Sequence, residues 1–68
     1  MVEVDVRGFV CPVPLMRTKK ALESGPAKIV VLASDGTAKT NVTYLLQDEG
    51  YTVSVTDDGD DYRIEGTK

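Results

Sequence analysis

The residue with the greatest chemical scope in this chain is Cys11, the only cysteine, which lies in "RGFVCPVPLMRTKK", residues 7–20. A thiolate is the reactive form of cysteine. Its ordinary pKa of about 8.5 falls at helix N-termini and beside cations. Proline follows at positions 12 and 14. If Pro12 opens a helix, its fixed φ suits the first turn, and Cys11, pushed into the extended region by the proline after it, takes the N-cap. The first turn of a helix leaves backbone N–H groups without partners, and proline has none to leave. A weak acceptor such as sulfur is then tolerable at a cap where serine or aspartate is otherwise favoured. A lone cysteine is more often a small buried hydrophobe. Here Gly8 and the two prolines frame a strand-to-helix turn, and Arg7 and Arg17 lie close enough along the chain to add positive potential.

The rest of the composition narrows the chemistry. There is no histidine, so a Cys-His nucleophile pair and any His-bearing metal site are excluded. A single cysteine closes no internal disulfide, and "MVEVDVRG" has neither a signal peptide's apolar run nor a membrane span, which points to a reducing cytoplasm. The net charge of −3 argues against nucleic acid as the main partner. Charge is unevenly spread: residues 1–40 carry a balance of +2 and the remainder −5. Arg7, Arg17, Lys19 and Lys20 are therefore candidates for anion or partner docking around Cys11, although such a helix face is as often merely solvated. The "DDGDD" turn at 57–61 lacks the spaced ligands and closing Glu of a calcium loop and reads as a solvated hairpin.

The elements that must position these residues follow from periodicity. Val2, Val4 and Val6 alternate with charged residues as a half-buried strand does. Leu15, Thr18 and Leu22 recur at helical spacing until "SGP" stops the run, predicting a first helix over 12–24. "KIVVLA", 28–33, is a continuous β-branched run that fits a strand with neighbours on both edges. Asp35 offers an N-cap, Ala38, Val42, Leu45 and Leu46 form one stripe, and Gly50 stands at the C-terminal stop of a helix over 36–49. Tyr51, Val53 and Val55 alternate, and after the turn so do Tyr62 and Ile64. The order β-α-β-α-β-β predicts an α/β two-layer sandwich, a four-stranded mixed sheet with two helices on one face, in a single domain over 1–68. One strand raises a packing question: either Ile29 and Val31 or Val30 and Leu32 must face the side without helices, shielded by neighbouring side chains or used for docking.

The run "VDVRGFVCPVPLMRTKKALE", residues 4–23, resembles the start of the TusA/SirA family of small sulfur-carrier proteins, whose signature is Cys-Pro-x-Pro at the head of the first helix. The resemblance implies that Cys11 accepts sulfane sulfur as a persulfide and relays it, with Gly8, Pro12 and Pro14 as structural parts of the motif. It implies a sulfur-transfer protein with a persulfide intermediate rather than a free-standing turnover enzyme, and no cofactor. The implied partners are a donor such as a cysteine desulfurase or rhodanese and an acceptor protein. Members serve tRNA thiolation, selenium-related and sulfur-oxidation pathways, and some accompany thiosulfate-import membrane proteins. The second half departs from the TusA branch: Ser34, Asp35 and Gly36 stand where that branch has an acidic pair and a proline. Two alternatives stay open. One is a docking or regulatory module that binds protein or RNA through its basic first helix; the other is modest thiosulfate breakdown at Cys11.

Overall fold

The computed structural model describes residues 2–9 and 13–68. In chain order the elements are β1 (Val2–Asp5), α1 (Val13–Leu22), β2 (Lys28–Ala33), α2 (Gly36–Asp48), β3 (Thr52–Asp58) and β4 (Asp61–Thr67). The four strands form one mixed sheet in the order β1-β2-β4-β3. β1 runs parallel to β2, with Val2 opposite Ile29 and Asp5 opposite Leu32, and the other two pairings are antiparallel. The expected two-layer architecture is present, with β2 flanked on both edges as its unbroken apolar run requires.

The core lies between sheet and helices. Ile29, Val31, Ala33 and Ile64 from the sheet meet Ala38, Val42 and Leu46 from α2, and Val6 and Tyr51 close the cluster. α2 starts as its sequence demands: the Asp35 carboxylate accepts the Ala38 N–H at 3.1 Å, satisfying one of the donors that a helix start leaves unpaired. Its end is set by Gly50, whose φ of +91° is open to glycine at little cost. The end of α2 packs tightly over Gly66. A Cβ there would stand 3.1 Å from Ile29 Cγ2 and 3.3 Å from Leu46 Cδ1, so the absence of a side chain is what admits the end of the helix.

The end of α1, its inward face and the hairpin turn differ from the periodicity reading. α1 ends at Leu22 rather than 24, because the Gly25 N–H reaches back to the Leu22 carbonyl at 2.9 Å with Gly25 at a φ of +63°. The face of α1 turned fully inward carries Pro14 and Thr18, four residues apart, while Leu15 and Leu22 are half-buried. The fully buried Thr18 hydroxyl donates to the Pro14 carbonyl at 2.8 Å. The hairpin is longer than expected, since β3 and β4 pair as far as Asp58 and Asp61 around a two-residue turn in which Gly59 takes a φ of +70°.

The packing question on β2 resolves toward shielding. Ile29 and Val31 join the core beneath the helices, and Val30, on the other face, is also fully buried. Val30 sits in register between Glu3 and Glu65, and Glu65 is bonded by Arg63 Nε at 2.8 Å. Val30 is thus covered on this face, and Leu32 beside it is half-buried.

Candidate functional site: the β1–α1 turn

The site is organised by where β1 stops. Val6 continues the pairing with β2 for one residue, its N–H donating to the Leu32 carbonyl at 2.8 Å, and the chain then leaves the sheet. Gly8, with a φ of +82°, makes the turn, and the Phe9 N–H returns to the Val6 carbonyl at 3.2 Å. α1 is in place from Val13, and Pro14 is buried in its first turn. Cys11 and Pro12 lie outside the described residues, as does Val10. The expected cap at Cys11 and helix opening at Pro12 therefore fall outside them too.

Gly8 N–H donates to Ser34 Oγ at 2.8 Å, which ties the turn to the residue just beyond β2. Arg7 is held on both sides. Its backbone N–H and Nε donate to Asp5 Oδ1 at 3.0 Å each, its Nη2 to Asp5 Oδ2 at 2.8 Å, and its Nη1 lies 3.5 Å from Asp61 Oδ2. Charge-assisted bonds from Arg7 draw the Asp5 carboxyl down to about 2 and hold the Arg7 guanidinium above its ordinary value. Phe9, exposed at 39%, has the Arg17 guanidinium over its ring at 4.5 Å. Asp5, Arg7, Gly8, Phe9, Ser34 and Asp61 together line an open cavity of about 590 Å³.

The four expected docking cations thus separate. Arg7 is engaged by two carboxylates, Asp5 and Asp61. Arg17 and Lys20, three residues apart on α1, share a second open cavity with Glu3 and Asp5 along β1. Lys19, exposed, projects from a different side of the helix. Sequence reasoning missed Phe9, Ser34 and Asp61 as parts of this site. Only Phe9 carries a local signal, an aromatic beside a glycine turn with an arginine eight residues on.

Comparison with known proteins bears on what this turn is for. The family model described as sulfurtransferase TusA matches residues 2–68. The chain belongs to the TusA family. A candidate sulfur carrier protein of Methanocaldococcus jannaschii is 38% identical over 55 residues, covering 78% of this chain and 73% of that one. A candidate sulfur carrier protein of Bacillus subtilis is 41% identical over 61 residues, covering 84% and 80%. The crystal structure of a SirA-like protein from Desulfitobacterium hafniense superposes with a TM-score of 0.85 at 28% identity, covering 98% of this chain and 96% of its own. Family and relatives support a sulfur-carrier role, which by its nature needs partner proteins to give and receive the sulfur. Among the described residues no helix is long and apolar enough to cross a membrane.

Proposed function

We propose that this chain, read as one TusA/SirA-like domain over 1–68, carries sulfane sulfur on Cys11 between two proteins in a reducing cytoplasm. The observation that carries the reading is that a chain matched over 2–68 to a sulfurtransferase family has one cysteine, so a persulfide on this chain has one place to form. The Cys11 thiolate attacks the terminal sulfur of a persulfide on a donor such as a cysteine desulfurase or rhodanese. The donor's S–S bond breaks, its thiolate leaves with the electron pair, and Cys11 holds S–SH. An acceptor thiolate then takes the outer sulfur by the same exchange. Neither step needs a redox cofactor or a histidine base, because one thiolate replaces another.

Around it, Gly8, Pro12 and Pro14 serve as structural parts of the motif, with Pro14 buried in the first turn of α1, and Arg17 and Lys20 dock an acidic patch on the partner. The test is intact mass after incubation with a cysteine desulfurase and cysteine. Wild type should gain the mass of one sulfur atom, lost on reduction, and Cys11→Ser should gain nothing. An unmodified wild type, or a Cys11→Ser variant that loads equally, contradicts the reading.

A further inference from the structure

Ser34 and Asp61 lie far from the cysteine motif in sequence, yet both hold the segment that leads into it. We infer that Ser34 and Asp61 are positioning residues for Cys11, acting through the Arg7–Phe9 turn. The inference builds on the reading of Cys11 as the reacting group.

A turn that leaves a sheet edge through a glycine at φ +82° has little intrinsic preference for one path. Here two of its residues have a partner from a distant part of the chain. Gly8 N–H is bonded by Ser34 Oγ at 2.8 Å, and Arg7 Nη1 lies 3.5 Å from Asp61 Oδ2. The anchors are themselves fixed. Ser34 stands between Ala33, the last residue of β2, and Asp35, the cap of α2. Asp61 opens β4, opposite Asp58 across the two-residue turn. Both are therefore set by the two central strands, and Phe9, stacked under Arg17, ties the same turn to α1. Phe9 is two residues before Cys11, a reach of at most about 7 Å of chain. A change in the path of the turn therefore acts within two residues of the reacting group along the chain.

Neither anchor contributes to the core. Ser34 is exposed, and the Arg7 and Asp61 side chains are 47% and 31% accessible. Exposed pairs of this kind add little to global stability. Removing them should loosen the turn and leave the fold, which separates positioning from support.

The experiment is the rate of Cys11 alkylation by iodoacetamide, an uncharged reagent, across pH 6–10, for wild type, Ser34→Ala, Ser34→Thr, Asp61→Asn and Asp61→Glu, with melting temperatures alongside. Ser34→Ala and Asp61→Asn should each change the midpoint or plateau of the profile, with plateau rates altered roughly three- to tenfold. Ser34→Thr and Asp61→Glu, which keep the hydroxyl and the charge, should restore most of the change. Melting should move by no more than about 2 °C. Profiles for Ser34→Ala and Asp61→Asn that superimpose on wild type overturn the inference. So does a change that the conservative variants do not restore, or one that tracks loss of melting temperature. The readout does not depend on sulfur loading. A wild type that never loads sulfur, with the alkylation differences intact, removes the carrier reading and leaves the positioning roles standing.

Discussion

The two helices lie on the same sheet but are held there in different ways. α2, Gly36–Asp48, is capped by Asp35 and sends Ala38, Val42 and Leu46 into the core. α1, Val13–Leu22, is shorter, and its fully buried positions are a proline and a threonine whose hydroxyl must be bonded inside the helix. Ala21 and Leu22 only border the core. The helix that follows the cysteine motif thus draws less on apolar burial, and the Arg7–Phe9 turn ahead of it is held by the polar ties of Arg7 and Gly8 and by the Arg17–Phe9 stack. Stability is concentrated at one helix and the proposed chemistry just before the other, so mutations should separate the two.

The largest expected effect is in α2. Leu46→Ala removes a fully buried side chain and should cost about 2–5 kcal/mol, a large share of the roughly 3–10 kcal/mol available to a domain of this size. Urea unfolding measures it, and a loss below about 1 kcal/mol would mean that α2 is not the principal anchor. Next, Gly66→Ala adds a methyl where Ile29, Leu46 and Tyr51 already crowd the backbone, and should destabilise by about 1–3 kcal/mol in the same assay. Asp35→Ala deletes the α2 cap and should cost about 1 kcal/mol, with Asp35→Asn recovering most of it.

The smallest effect is at the β1–α1 turn and is read from pH. Asp5 is held at about 2 against the usual 3.8, first through the side-chain hydrogen bond from Arg7. A carboxyl lowered on folding contributes stability that is present above its unfolded value and is lost as pH falls through its folded one. The Asp5 contribution should therefore be complete above about pH 4 and vanish toward pH 2. Melting curves of wild type and Asp5→Asn should converge as pH falls through that window. A gap that persists at pH 2 would assign the effect to something other than this ion pair.

What could be read from residue order alone follows the same division. The alternation of Val2, Val4 and Val6, the limits of β2, the Asp35 cap and the Gly50 stop are local signals, and each stands where the periodicity places it. The inward face of α1 is half legible: Thr18 falls on the helical stripe with Leu15 and Leu22 and is fully buried, whereas Pro14 does not announce its burial. The partners of the turn were not legible at all. Ser34 is 26 positions from Gly8, and Asp61 meets Arg7 only because β1 and β4 flank β2 in the assembled sheet. Such contacts come from strand order and register, which no window of sequence contains.

The most direct test of this division is intact mass after sulfur loading, recorded together for wild type, Cys11→Ser and Leu46→Ala at a temperature where all three are folded. Wild type and Leu46→Ala should each gain one reducible sulfur, and Cys11→Ser none, although Leu46→Ala is the least stable of the three. Loading of Cys11→Ser, or no loading of folded wild type, would contradict the account at its centre.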